Sequence, residues 1–123
     1  MDERRWKVVE TDEYQEWFET LDVAAKEDIR GKVQVLGTIG PSLGRPQVDT
    51  LKGSRFANMK ELRVKSKGRP FRILFAFDLK RRAVLLVGGN KAGGGGKDFY
   101  AVMIPLADRL FADYLEAMKN EKD

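Results

Sequence analysis

Histidine and cysteine are both absent from this 123-residue sequence. Without cysteine the chain has neither disulfides nor thiolate ligands for a metal, which fits a reducing cytoplasm. Without histidine, acid–base chemistry has to use lysine, arginine, tyrosine or a carboxylate. Long apolar runs are missing too. The longest, Ala83 to Val87, is far shorter than a membrane span, and the charged N-terminus lacks the apolar run of a signal peptide. We therefore expect a cytoplasmic protein with no membrane partner.

The composition is that of one folded domain. Apolar residues make up 42% of the chain and charged residues 34%, a balance that favours a single core with a strongly hydrated surface. At this length one core is comfortable and two are not, so residues 1–123 are predicted to form a single domain.

Charge is divided sharply along the chain. Residues 45–97 hold seven lysines and seven arginines against three carboxylates, a local balance of +11, whereas residues 1–44 sum to −4 and residues 98–123 to −3. A basic segment between acidic flanks favours a positive surface that attracts polyanions. An ordinary solvated surface is the alternative interpretation.

The N-terminal third predicts a short strand followed by two helices. The strand covers Trp6 to Val9, and Thr11 or Asp12 then caps a helix whose apolar stripe is Tyr14, Trp17, Phe18 and Leu21. Asp22 caps a second helix that runs to about Leu36. The two helices are expected to form an antiparallel hairpin with acidic outer faces.

The rest of the chain predicts three strands and a last helix. Residues 40–58 read as a long loop; strands are predicted over 59–64, 71–77 and 83–88, and a helix is predicted to begin near Pro105. The fold class is therefore α+β, a mainly antiparallel sheet of about four strands, with the helices expected on one side.

Strand alternation selects a small set of candidate catalytic residues. Glu61 and Arg63 lie on the opposite face from Leu62, and Arg72 on the opposite face from the neighbouring phenylalanines. Lys91 follows the last strand, and Tyr100 is placed to stack on an unpaired base. Transfer at a phosphodiester needs a base, cations for the charge on phosphorus and an acid for the leaving oxygen. Arginines supply the cations, and Glu61 or a nearby lysine supplies the base.

The glycine run at 93–96 does not match a phosphate-binding motif, because GxxxxGK[ST] would require glycine at Lys91 and a hydroxyl residue at Asp98. A mobile loop that carries Lys91 and Lys97 to a ligand and a plain flexible connection are both open interpretations. Acidic residues at metal-ligand spacing are lacking as well, so no metal or other cofactor is expected.

Further basic residues extend the predicted polyanion surface. The candidate RNA-binding side chains are Arg45, Lys52, Arg55, Lys60, Arg69 and Lys97. For Phe99, core packing is favoured over stacking on a base. No recognition helix with base-reading residues is visible, so DNA binding is the weakest interpretation.

The ordered motifs NMKELRV, GRPFRILFAFD, VLLVGGNK, FY and IPLADRL resemble the RelE/HigB superfamily of bacterial toxins, in its phage-derived HigB-like branch. The resemblance implies a RelE-like fold and a toxin that cuts messenger RNA in the ribosomal A site by attack of the 2′-hydroxyl on the adjacent phosphate. It also implies a helix-turn-helix, HigA-like antitoxin as partner.

By resemblance, Arg72 stabilises the phosphate, Lys91 is a second basic residue, and Tyr100 stacks on a base or handles a proton. Related toxins often carry lysines on the second strand, facing the cleft. Alternation places Met59 and Glu61 there, so no such lysine is expected, and Glu61 or Lys52 is left as the base. The alternative function is a binding module of the same fold that holds RNA or protein without cleavage.

Overall fold

The computed structural model describes residues 5–93 and 96–121 of the chain. Its strands are β1 (Lys7–Glu10), β2 (Val48–Thr50), β3 (Lys60–Ser66), β4 (Arg69–Phe77) and β5 (Arg82–Asn90). Its helices are α1 (Asp12–Glu19), α2 (Val23–Ile39) and α3 (Gly96–Asn120), with short 3-10 turns at Gly40–Ser42 and Lys91–Gly93. Within these residues, no helix has the length and apolarity needed to cross a membrane.

The strands form one sheet in the order β1-β5-β4-β3-β2. β1 is parallel to β5, and the other neighbours are antiparallel. The predicted α+β fold with a mainly antiparallel sheet is confirmed. The fifth strand, β2, lies inside the segment that was predicted to be a loop, and its three residues are too few to show a sequence period.

Helices cover both faces of the sheet, so the expectation of helices on one side is wrong. Side chains of α1 and α2 pack with Leu62, Val64 and Phe75 on one face. Side chains of α3 pack with Leu74 and Leu86 on the other. The physical reason is that the inner strands β4 and β5 are apolar on both faces, and each apolar face has to be buried.

An irregularity in β5 adapts the sheet to both layers. Leu74 pairs with Val87 while its neighbour Phe75 pairs with Leu85, so Leu86 has no counterpart on β4. The bulge lets Leu86 and Val87 both join the core under α3. Alternation then resumes with Gly88 against Trp17 of α1 and Gly89 against Phe99 of α3.

Side-chain caps fix the starts of the first two helices. The Thr11 hydroxyl accepts a hydrogen bond from the backbone N–H of Tyr14 at 3.0 Å, and Asp22 accepts one from that of Ala25 at 3.0 Å. The second helix runs to Ile39, three residues past the predicted end. It then stops at Gly40, whose φ of +78° suits glycine.

The last helix begins at Gly96, well before the predicted start near Pro105, which lies inside α3. An internal proline removes one backbone hydrogen bond and costs about 3 kcal/mol. Pro105 is exposed, whereas Phe99, Ile104 and Ala107 are buried against the sheet. Burial of this stripe offsets the lost bond and keeps both sides of the proline helical.

We expect Gly88→Ala to lower the free energy of unfolding by about 1–3 kcal/mol, because overpacking forces neighbours to shift. A Cβ at this position would lie 2.3 Å from the Trp17 ring. Gly31→Ala is the matched control, since nothing lies within 4 Å of its Cβ and the position is in a helix interior. That variant should gain about 0.5–1 kcal/mol. Chemical denaturation measures both, and equal stabilities would contradict the packing described here.

Candidate functional site

A buried carboxylate lies at the centre of a cluster between β3, β4 and α3. Glu61 is only 3% exposed. Its Oε1 accepts a hydrogen bond from the Tyr100 hydroxyl at 2.6 Å, and its Oε2 accepts one from Arg63 Nε at 3.0 Å. Arg72 Nε lies 3.7 Å from Oε1. A charge buried to this degree is tolerated only with such partners.

The sheet register brings the two arginines together. Arg63 and Arg72 are directly opposite each other on β3 and β4, on the face that α3 covers. Like charges in a cross-strand pair are unfavourable by themselves. Two carboxylates offset the repulsion: Glu61, and Asp49, which accepts a hydrogen bond from Arg63 Nη2 at 3.1 Å. Asp49 comes from β2 and was not predicted to belong to the site.

Glycine in β5 lets α3 approach the cluster. Arg72 pairs across the sheet with Gly89. A Cβ at Gly89 would lie 2.9 Å from the Phe99 ring, which is closer than side chains approach one another. Phe99 is 8% exposed and packs in the core, as favoured from the sequence. The next residue, Tyr100, is thereby held over Glu61.

Arg72 keeps an unused hydrogen-bond donor. Its Nη1 donates to the backbone carbonyl of Phe71 at 3.1 Å. Its Nε is buried and has no hydrogen-bond partner within residues 5–93 and 96–121. A buried donor without an acceptor is costly. The Oε1 of Glu61, 3.7 Å away, offsets part of this cost through its charge.

Tyr100 holds its proton firmly. Burial, the hydrogen bond it donates to Glu61 and the charge of Glu61 raise its pKa to about 12, and Arg72 opposes the shift. The Nζ of Lys91 lies 5.3 Å from the centre of the Tyr100 ring, a cation–π contact. At neutral pH the phenol is therefore a proton donor to Glu61 and carries no charge.

The structure brings the five candidate catalytic residues, Glu61, Arg63, Arg72, Lys91 and Tyr100, into one cluster of direct contacts. Glu61 and Arg63 come from β3 and Arg72 from β4. Lys91 follows β5, and Tyr100 lies in the first turns of α3. Their catalytic roles remain predictions.

The candidate RNA-binding residues are spread over the molecule. Arg69 lies on the α1 and α2 face, where its guanidinium donates two hydrogen bonds of 3.1 Å to Asp22. Lys60 also points away from the cluster and donates to the Thr50 hydroxyl at 3.3 Å. With the exposed Arg45 it lines a small cavity of about 250 Å³ beside β2.

The remaining predicted residues lie in or after the segment that follows β2. Lys52 is exposed and forms no ion pair with the residues that the structure describes. Arg55 is exposed over the Phe56 ring, with 5.1 Å between its guanidinium carbon and the ring centre. The side chain of Lys97 and residues 94–95 of the glycine run lie outside the described residues.

The prediction that no lysine faces the site from the strand expected at residues 59–64, which is β3 in the structure, is wrong. Lys65 continues the alternation of Glu61 and Arg63 and lines a groove of about 350 Å³ beside Arg72. Met59, which was expected to face the site, is fully buried. Strand alternation extended two residues further would have found Lys65. Lys32 of α2, which lines the same groove, could not have been found from the sequence.

Among residues 5–93 and 96–121 there is no group of three or more acidic side chains placed to hold a metal ion.

Residues 16–112 match the model of phage-derived Gp49-like proteins. The chain belongs to this family. Relatives of this Gp49-like protein in Mycobacterium tuberculosis include two proteins named as candidate toxins, HigB2 and HigB3.

The matches to these relatives differ in coverage. HigB2 is 46% identical over 86% of this chain, but the match spans only 53% of HigB2. HigB3 is 46% identical over 80% of this chain and 84% of its own length. The Gp49-like chain therefore corresponds to about half of the longer relative and to most of the shorter one.

The fold of the Gp49-like chain matches that of E. coli toxin RelE, solved in the free state with two arginines replaced by alanine. The TM-score is 0.54 at 9% identity, over 80% of this chain and 98% of RelE. Identity this low shows a common fold alone. Together with the family match, it confirms the RelE/HigB resemblance.

Alkaline pH should destabilise the protein through its tyrosines. The pKa values of Tyr14, Tyr100 and Tyr114 are all raised, chiefly by burial. A raised pKa in the folded state contributes stability that is complete below the ordinary value of about 10 and is lost as the pH rises above it. We expect the free energy of unfolding to fall from about pH 10 upwards, with Tyr100→Phe reducing the pH dependence between 10 and 12.

Tyrosinate absorbance followed alongside denaturation measures this behaviour. Ionisation of all three tyrosines near pH 10 in the folded protein would contradict the contacts of Tyr100 with Glu61.

Proposed function

We propose that this protein is the toxin of a type II toxin–antitoxin system and acts as a ribosome-dependent endonuclease of messenger RNA. The names of its relatives and its fold support the toxin assignment. The observation that carries the nuclease assignment is the cross-strand pair of Arg63 and Arg72, held at Glu61 beside the Tyr100–Glu61 hydrogen bond.

The arginine pair is suited to a phosphate that gains charge. In the proposed reaction the RNA 2′-oxygen attacks the adjacent phosphorus, and the bond from phosphorus to the 5′-oxygen breaks. Arg63 and Arg72 hold the non-bridging oxygens, where negative charge builds up in the transition state. Donors already fixed by Glu61 and Asp49 need little reorganisation during the reaction.

Glu61 serves as the base, acting through Tyr100. Both carboxylate oxygens are occupied and the residue is buried, so direct contact with RNA would require it to move. Tyr100 is more accessible and donates to Glu61. The 2′-hydroxyl gives its proton to the phenol oxygen as the phenol passes its own to Oε1. The raised pKa of Tyr100 fits a relay and argues against a free phenolate as the base.

Lys91 serves as the acid. Its ammonium group lies over the Tyr100 ring and can protonate the departing 5′-oxygen. The products are a 2′,3′-cyclic phosphate and a 5′-hydroxyl. Glu61 ends protonated and Lys91 neutral, and exchange with solvent restores both. The proposed reaction needs no metal ion and no cofactor.

The setting of this reaction is part of the proposal. We place it in the cytoplasm, at messenger RNA in the ribosomal A site, with a helix-turn-helix, HigA-like antitoxin as the neutralising partner.

A binding module without catalysis is the second candidate, and Glu61 favours it. This carboxylate already occupies the space between Arg63 and Arg72, so a phosphate has to compete with it. A module that holds RNA or a protein would use the surrounding basic surface and leave the buried ion pairs intact.

Expression of the wild-type protein should arrest bacterial growth, and Arg72→Ala should relieve the arrest, because the phosphate loses its main ligand. Arg109→Ala is the matched control. Arg109 is exposed on α3 and lies outside the cluster, so this variant should stay fully toxic. Growth is measured at equal protein levels.

Primer extension on messenger RNA from the same cells separates the two candidate functions. Discrete breaks within the message that leave a cyclic phosphate support the nuclease. Growth arrest without breaks would favour the binding module, and full toxicity of the Arg72 variant would contradict the site.

The proton relay predicts non-additive losses. Glu61→Gln and Tyr100→Phe should each slow cleavage by about 100-fold or more, the range for loss of a general base. Because both changes break one relay, the double variant should be little slower than either single variant.

Tyr114→Phe is the control, since its hydroxyl donates to Asp78 at 2.7 Å in a similar pair further along α3. This variant should cleave normally. Multiplying losses in the double variant would show that Glu61 and Tyr100 act separately.

A further inference from the structure

A basic groove leads away from the Glu61 cluster, round the edge of the sheet beside β3. β2 pairs with β3 only up to Leu62, after which the backbone N–H of Arg63 donates to the carbonyl of Gln47 at 2.8 Å. Beyond this point no strand of the described residues covers that edge of β3. The groove of about 350 Å³ lies there, lined by Lys32, Arg63, Val64, Lys65, Pro70 and Arg72.

The lining has charge of one sign. Four of its six residues are cations and none is a carboxylate. Arg63 and Arg72 are shared with the buried cluster, whereas Lys32 and Lys65 form no ion pair with any residue in 5–93 or 96–121. By contrast, Lys26 on the same helix as Lys32 contacts Glu19 at 3.2 Å. Glu61 and Asp49 balance the two arginines, so Lys32 and Lys65 leave the groove with a positive potential that an anion relieves.

The cations come from both sides of the sheet edge. Lys65 and the arginines belong to the face under α3, while Lys32 reaches the groove from α2 on the opposite face. Val64 and Pro70 add apolar surface between them. The backbone of a single RNA strand, in which sugars join regularly spaced phosphates, can follow such a path.

We propose that this groove binds a phosphodiester of the same RNA strand, next to the one held by Arg63 and Arg72, and that the strand passes round the edge of β3 to Lys32. The proposal rests on the proposed function for the identity of the polyanion. Lysines suit this second contact because a flexible point charge holds a phosphate without a fixed geometry.

The test measures binding of fluorescent RNA whose 2′-oxygens are methylated, so that it cannot be cleaved. Lys32→Gln and Lys65→Gln should each weaken binding several-fold at low salt. Each should also reduce the slope of log affinity against log salt by about 0.7, the value for one contact to a single strand. Lys32→Arg keeps the positive charge, so its affinity and its salt slope should match those of the wild-type protein. Lys119→Gln, an exposed lysine near the end of α3, is the control and should leave both unchanged.

Two probes separate the sources of the phosphate. Preference for a single strand points to messenger RNA and supports the proposal. Preference for a hairpin points to a ribosomal RNA helix and overturns the path along the same strand. An unchanged slope for Lys32→Gln in a folded protein would overturn the proposal. Tighter binding of a polyglutamate peptide than of RNA with the same charge would overturn it in favour of an acidic protein.

A cleavage assay on unmodified messenger RNA bound to translating ribosomes keeps the two ideas apart. Cleavage by the wild-type protein with no effect of Lys32→Gln on binding overturns the groove and leaves the nuclease. Loss of binding in that variant, with no cleavage by any form, supports the groove and overturns the nuclease.

Discussion

Glu61 is buried beneath two arginines and a tyrosine, and the geometry of the candidate site follows from that arrangement. Without this carboxylate, Arg63 and Arg72 would repel each other across the β3–β4 pair. With it, both side chains are fixed and Tyr100 is tied to the sheet at 2.6 Å. The arrangement keeps two cations close together beside a buried carboxylate, with Arg63 partly exposed and Arg72 mostly buried.

The sheet has to be covered on both faces for this arrangement to exist. Helix α3 reaches Glu61 because Gly89 leaves room for Phe99, and Gly88 leaves room for Trp17 on the opposite face. The bulge at Leu86 sets which glycine faces which helix. Packing on one side of the sheet is thus coupled to the placement of Tyr100 on the other.

The charge division along the chain becomes a division in space. Carboxylates of β1 and α1, among them Glu10, Asp12 and Glu16, line a cavity of about 710 Å³ beside α2. The basic groove opens at the other edge of the sheet, near Lys65. Apart from Glu61 and Asp49, which pair with Arg63, most acidic side chains lie away from this groove, so the potential there is positive.

Local patterns in the sequence determined most of the elements. Alternation identified β3 and β4, caps at Thr11 and Asp22 identified two helix starts, and the same alternation selected Glu61 and Arg72. Tertiary structure decided the rest. Three-residue strands such as β2 form only beside a partner, α3 extends across Pro105 because burial outweighs one lost hydrogen bond, and Lys32 meets Lys65 only because α2 packs over β3. Sequence spacing carries no record of such contacts, since they depend on which surfaces the folded chain has to bury.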